Sequence, residues 1–389
     1  MLRFLIAGES HGPGLTVILE GVPAGLRLSR ARIDGDLARR QGGYGRGGRM
    51  SIEKDRVRIA GGVRFSRTLG GPIAIFIPNL DHANWLDAMA VWGPPPDEIA
   101  ARRVTRPRPG HADLAGALKH GTHDARDVLE RASARETAAR VAAGAIARAL
   151  LEQLGIGVAS HTVAVGRAEL PRAADVPFAR IRGLADDSTL RCVDRRIERR
   201  MIAEIDSARR ARDTVGGAFQ VVAAGLPPGL GATGSTDRRL DARLAGAIVS
   251  IPGVKAVSIG EGVGAAAMRG SRVHDEIFYR KGTGFFRRTN RAGGLEGGIT
   301  IGGEIRLTGY LKPLSTLPRP LASVDLVTKR PDRAVVERTD TIPILAAGTV
   351  GEAMVALVLA EACLEKFGGD SLGETRRNWR AYMRQVRGF

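Results

Sequence analysis

The segment Thr349–Phe367 constrains this 389-residue chain most. Read as a helix, it is apolar on much of its surface, through Ala353, Met354, Leu357 and Val358. Such a helix has to be covered by other elements. A second long helix is predicted over Arg126–Leu154. Its apolar positions include Val128, Leu129, Ala132, Val141, Ala145, Ala149 and Leu150, and Asp124 or Asp127 suits its first turn. Its many alanines let neighbours approach closely. Ser29–Arg40, with Ser29 as N-cap, and Asp237–Ser250 complete the helices. Strands are expected at Thr16–Gly21, Ile73–Ile77, Gly157–Val165, Ala218–Ala224, Val254–Ile259 and Thr300–Thr308 from β-branched content and Gly/Pro borders. No Gly-x-Gly-x-x-Gly follows a strand, so a helical core covered by sheets is expected rather than a doubly wound dinucleotide fold.

Uncharged runs at Ile342–Gly351 and Ala353–Ala360 are interrupted by Glu352 and Glu361, short of the roughly 18 residues of a membrane helix. The N-terminal Met1–Ile6 reaches Glu9 too early for a signal peptide, which points to the cytoplasm. Cys192 and Cys363 stand alone, as expected of reduced thiols without zinc. The net charge of +18 is compatible with nucleic acid, with a small polyanionic ligand, or with a composition rich in Arg, Ala and Gly. Aromatics are only 4% and the arginines are spread along the chain, which argues against nucleic acid as a partner.

Several segments carry chemistry. Gly42–Arg49 is a glycine loop studded with arginine, close to Arg39 and Arg40. It reads either as a surface loop or as a phosphate site, and Arg39, Arg40, Arg46 and Arg49 within eleven residues favour the second. His11, in Gly8–Gly12, follows the first strand. His111 lies in Arg108-Pro109-Gly110-His111-Ala112-Asp113. Both are candidate general acids. His82, His161 and His274 read as surface or core residues. His120 and His123 lack the spacing for a metal, and none is expected. Arg131 and Arg135 are four residues apart, either a solvated helix face or a phosphate seat beside Ser133. In Asn290–Thr300 two Gly-Gly pairs imply a sharp bend or a close approach. Lys312–Thr316 offers a cation and two hydroxyls, and Arg338-Thr339-Asp340 joins a cation to a carboxylate.

Taken in order, Gly8–Gly12, Arg39–Met50, Arg108–Asp113, Leu129–Thr137, Asn290–Thr300, Lys312–Thr316 and Arg338–Asp340 resemble the chorismate synthase family along the whole chain. The resemblance implies one large α+β domain over residues 1–389, with long central helices sandwiched between antiparallel sheets, assembled as a homotetramer. It implies a lyase that converts 5-enolpyruvylshikimate 3-phosphate to chorismate and phosphate by 1,4-elimination, requiring reduced FMN from an external reductant, with NADPH as a possible source. His11 and His111 match the catalytic histidines, and Asp340 matches a carboxylate acting near the flavin. Arg131, Ala132, Ser133, Pro252, Gly253, Gly297, Lys312, Pro313, Leu314, Ser315, Thr316 and Arg338 match FMN contacts. Arg40 and Arg46, with Arg49 beside them, match positions that hold NADP or the substrate phosphate. Pro252-Gly253, Val263 and His120 depart from the residues usual in the family. A basic nucleic-acid-binding protein and an inactive flavin-binding relative are the alternatives.

Overall fold

A computed structural model describes residues 2–47, 54–94, 102–184 and 188–389. Arg49 lies outside them.

The first sheet contains β1 (Arg3–Ala7), β2 (Gly14–Glu20), β3 (Arg58–Gly61) and β4 (Ile73–Pro78), in the order β1-β2-β4-β3 and antiparallel throughout. Alternation sorts its faces: Leu15, Val17, Leu19, Ile73, Ile75 and Ile77 are buried, while Thr16 and Ile18 face out. The second sheet contains β5 (Gly157–Val165), β6 (Ala168–Glu169), β7 (Gly217–Ala224), β8 (Val254–Ile259) and β9 (Ile305–Leu311), in the order β8-β9-β7-β5-β6 and again antiparallel. The principal helices are α1 (Arg30–Gln41), α2 (Asp113–His120), α3 (Thr137–Glu152), α4 (Arg195–Arg210), α5 (Leu240–Val249), α6 (Ile344–Phe367) and α7 (Leu372–Gly388). Helix α3 lies against the first sheet, α6 against the second, and the two pack on each other. One hydrophobic cluster runs from Leu2 to Phe367 through both sheets and both helices.

The β-branched content and Gly/Pro borders identified five strands to within two residues at each end. Ser29 does cap α1, accepting from Arg32 N. Two expectations are corrected. The helix predicted over Arg126–Leu154 is broken. A short turn, Arg126–Leu129, ends at Glu130, and Ser133 is extended, accepting from Arg135 N before α3 begins at Thr137. The Ser133 hydroxyl competes with the helix for a backbone N–H. Arg131 and Arg135 therefore do not share a face. Thr300–Thr308 is likewise two strands. Ile299–Ile301 pairs with Pro228–Gly231 and Leu295–Glu296, and Gly302, at φ +84°, turns the chain before β9.

Helix α6 is long and apolar enough to cross a membrane, but 89% of its most apolar window is buried inside the protein. Small residues bring it close to its neighbours. A Cβ on Gly144 of α3 would lie 2.3 Å from the Cβ of Ala353, and one on Gly351 would lie 2.7 Å from the Phe219 ring. At the centre of α6 stands one carboxylate, Glu352. It accepts from Arg39 of α1 (2.7 and 3.0 Å), from Arg148 of α3 (3.2 Å), and from the backbone N and hydroxyl of Ser160 on β5 (2.9 and 2.7 Å). Burial pushes its pKa up, but Arg39 and Arg148 outweigh that and hold it at about 2.

Two stability outcomes follow. Gly144→Ala improves helix propensity by about 1 kcal/mol, yet the clash with Ala353 costs about 1–3 kcal/mol. The urea midpoint should therefore fall, and a rise would show that α3 and α6 can separate cheaply. For Glu352, whose folded pKa is depressed, the stabilisation is present above its ordinary pKa near 4.5 and is lost as pH falls towards 2. Glu352→Gln should cost about 3 kcal/mol at pH 7. The gap between wild type and variant, read from urea melts, should narrow between pH 5 and pH 2.5. A pH-independent gap would contradict the ionised carboxylate.

Candidate active site

The N-termini of α3 and α6 open onto the same cavity, of about 390 Å3. Ala134, Arg135 and Thr137 line it from one helix start, and Pro343, Ala346, Ala347 and Val350 from the other. Helix N-termini carry partial positive charge and unpaired N–H groups, so the cavity floor favours anions. Five arginines, Arg40, Arg46, Arg108, Arg135 and Arg338, line the same space, and Asp340 is the one lining carboxylate among the described residues. Ile251, Pro252, Leu311 and Leu314 add an apolar wall. Cationic and apolar surface together suit a ligand that is both aromatic and phosphorylated.

Each arginine is held from behind. Arg40, on α1 beside Arg39, donates to Thr137 Oγ1 (2.9 Å) and to the Ala134 carbonyl (3.0 Å). Arg135 donates to Asp55 (3.0 Å). Arg46 pairs with Asp340 (2.9 Å), whose other oxygen accepts from Gly47 N (2.6 Å). Arg338 donates to Asp81 (2.8 Å). Arg108 donates to both oxygens of Asp113 (2.8 and 3.0 Å) and to Thr316 Oγ1 (2.9 Å).

His111 also meets Asp113, with Nδ1 2.5 Å from Oδ1. Arg108 Nη2, which can only donate, lies 3.1 Å from the same nitrogen. The carboxylate contact is much the shorter, and as the hydrogen bond it places the hydrogen on Nδ1 and leaves Nε2 as the exchangeable nitrogen. Burial pushes the Asp113 carboxyl up, but the bonds from His111 and Arg108 outweigh it and hold it well below the ordinary range. His11 is not on the cavity wall. It is 6% exposed, with its ring stacked under Trp85 at 3.9 Å between centroids. Its neighbour Ser10 meets Ser133 on the wall, Oγ to Oγ 3.1 Å. Glu130 accepts from both the His11 backbone N and Nδ1, each at 2.8 Å. Burial pushes Glu130 up, and the hydrogen bonding of His11 overrides this and lowers it.

Of the residues expected at the site, the structure brings together His111, Asp340, Ser133, Pro252, Leu314, Ser315, Thr316, Arg338, Arg40 and Arg46. Arg131, Ala132, Gly253, Gly297, Lys312 and Pro313 are not on the wall. Arg131 reaches over β1 to the carbonyls of Ile6 and Gly8. Lys312 Nζ donates to the Gly110 carbonyl and so ties β9 to the His111 loop. Gly297 turns the chain between Leu295–Glu296 and Ile299–Ile301. His82, expected as surface or core, hydrogen-bonds the His11 carbonyl (2.9 Å). Arg135, read as one half of a phosphate seat, does reach the wall; sequence reasoning passed over Arg108, Asp113, Asp55, Asp81, Trp85 and Glu130. Only Arg108 and Asp113 had a local signal, in the stretch around His111.

A second cavity of about 430 Å3 lies at the other end of α3. There Arg32 pairs with Glu152, and Arg39 and Arg148 pair with Glu352 and Asp36. It is the outer face of the buried ion network.

Residues 2–364 match the family model described as chorismate synthase. Over the full length of both chains, the protein is 55% identical to the chorismate synthase of Solibacter usitatus. It is 54% identical to that of Moorella thermoacetica, over 98% of each chain. A crystal structure of chorismate synthase superposes with a TM-score of 0.80 at 39% identity, covering 100% of this chain and 99% of the other. The chain belongs to the chorismate synthase family. It is thus a carbon–oxygen lyase that forms chorismate in the shikimate pathway, with the sandwich architecture of that family.

Proposed function

We propose that the arginine-lined cavity takes 5-enolpyruvylshikimate 3-phosphate together with reduced FMN. The observation that carries this is the meeting of two helix N-termini and five arginines around His111. The substrate brings two carboxylates and a phosphate, and FMN brings a further phosphate. Such a cluster is stable only inside a cationic frame. The apolar wall of Ile251, Pro252, Leu311 and Leu314 suits the flavin ring, and Arg338, Ser315 and Thr316 suit its polar parts.

When bound, the reduced flavin supplies electron density as the C3–O bond breaks and recovers it as the C6 proton leaves. The chain's own groups do the rest. Arg40 and Arg46 share the wall with His111, and we assign them to the substrate's phosphate rather than to NADP. Their fixed guanidinium groups stabilise charge on the departing phosphate. His11, set behind the wall next to Ser10, is assigned as the source of the proton for that phosphate, which it reaches past the Ser10–Ser133 contact. His111 holds a proton at Nε2 towards the cavity, backed by Asp113. Asp340, the one carboxylate on the wall among the described residues, is the protein's acceptor for the proton lost from C6. The flavin arrives reduced from an external source. Exposed apolar side chains on the outer face of the first sheet (Leu5, Ile18) and on the Ile277–Arg287 hairpin (Ile277, Tyr279, Phe285) support a homotetramer.

The direct test is anaerobic phosphate release with dithionite-reduced FMN and the enolpyruvyl substrate. Arg46→Lys keeps the charge but loses the guanidinium fork. It should lower kcat/KM by an amount worth roughly 1–3 kcal/mol. Arg199→Lys, on the exposed face of α4, should be silent at fixed ionic strength. Equal effects would mean that the arginine loop acts only as diffuse charge. His111→Ala should slow turnover by about 10²-fold. Sedimentation should give a four-chain mass, and a monomer would overturn the assembly.

A further inference from the structure

The carboxylate beneath His11 and the indole above it have no part in the proposed chemistry, and neither lines the cavity. We propose that Glu130 and Trp85 are positioning residues for His11: Glu130 fixes which ring nitrogen holds its hydrogen permanently, and Trp85 fixes the plane of the ring. The proposal rests on the reading of His11 as the proton donor to phosphate.

Two donors of one residue, the His11 backbone N–H and Nδ1–H, converge on the two oxygens of Glu130 at 2.8 Å each. Only a carboxylate offers two acceptors at that spacing with no donor of its own. With Nδ1–H committed, Nε2 is the nitrogen left to give up a proton, and it makes no hydrogen bond among the described residues. Glu130 is 4% exposed and is braced by Arg126 Nη1 at 3.2 Å. Arg126 in turn donates to Glu337 (3.2 Å) and to the Arg102 carbonyl (2.7 Å). On the other side, the Trp85 ring lies 27° from the plane of the imidazole, and its N–H donates to Asp81 at 3.3 Å. Asp81 accepts from Arg338. The contacts thus close a ring: Glu337, Arg126, Glu130, His11, Trp85, Asp81, Arg338. Its two ends are consecutive residues of the segment that also carries Asp340. The placement of His11 is therefore tied to the segment assigned to the flavin.

A scaffold role and a positioning role differ in one measurable way. If Glu130 acts through His11, its loss has nothing left to remove once His11 is gone. Glu130→Gln keeps the shape but supplies one acceptor and an N–H, so it cannot receive both donors, and the ring hydrogen moves to Nε2. We expect Glu130→Gln to slow phosphate release by about 10²-fold, like His11→Ala, with FMN binding retained. The double variant should be no slower than His11→Ala within a factor of two. Trp85→Leu should lower kcat about 10-fold with KM unchanged, and should add nothing to His11→Ala. Losses that add in the double variants would overturn the proposal in favour of a scaffold role. A second measurement needs no substrate. The ¹⁵N spectrum of histidine-labelled protein, with His11 assigned by its loss in His11→Ala, should show hydrogen on Nδ1 in the wild type and on Nε2 in Glu130→Gln. An unchanged tautomer overturns the proposal. If His11→Ala turns over normally, His11 is not the acid, and the tautomer alone then decides whether Glu130 positions it.

Discussion

Glu352 is a carboxylate buried in the middle of an otherwise apolar helix, and the geometry of the cavity depends on it. Isolated, such a charge would be expelled or neutralised. Here its five hydrogen bonds reach α1, α3 and β5, so the cost of burial is offset only when all of these are in place. The consequence for the site comes from a single step along α1. Arg39 enters the Glu352 network, and Arg40, the next residue, turns to the cavity wall and grips Thr137 at the start of α3. The interior ion network and the anion-facing wall are thus set by the same turn of one helix.

The electrostatics of the cavity come from architecture as much as from charge number. Because α3 and α6 both begin at the cavity, their peptide dipoles add at one place. The arginines are not loose cations. Asp55, Asp113 and Asp81 sit behind Arg135, Arg108 and Arg338, and fix their forks before any ligand arrives. Preorganised donors of this kind lose little on binding charge that develops during a reaction. The net charge of +18 is a poor guide to this arrangement, since part of it sits on solvated surface such as Arg195, Arg196, Arg199 and Arg200 on α4.

Much of the fold was legible because periodicity reports burial. Five strands showed themselves by β-branched runs between glycines and prolines, and α6 by its lack of a polar face, whereas the short or exposed strands β1, β3 and β6 were not placed. The break at Ser133 was not legible: a run of alanines and arginines reads as one helix until the serine hydroxyl is seen to cap a new start. Helix α7 escaped as well, although Ser371-Leu372-Gly373-Glu374 has the spacing of a capping box and Ser371 does accept from Glu374 N. At the site, the arginine and histidine motifs named Arg40, Arg46, His111 and Arg338, which line one cavity. Lys312 gave no sign in the sequence that its ammonium would meet the Gly110 carbonyl, which it does once β9 and the His111 loop come together.

The two histidines show why some site residues can be read and others cannot. Both are held through Nδ1 by a buried carboxylate, which leaves Nε2 as the exchangeable atom. For His111 the carboxylate is Asp113, two residues on, inside the same tight loop. For His11 it is Glu130, 119 positions away, and it is brought there because the chain leaves its helix at that residue and passes its carbonyl to Ser10 N. The broken helix is therefore not an irregularity to be explained away. An unbroken helix over Arg126–Leu154 would turn Glu130 with the other side chains of its face. The interruption lets its carboxylate and its carbonyl both face the loop that carries His11. The same interruption gives α3 a fresh N-terminus at the cavity, so one local choice by Ser133 supplies both a braced histidine and part of the positive floor.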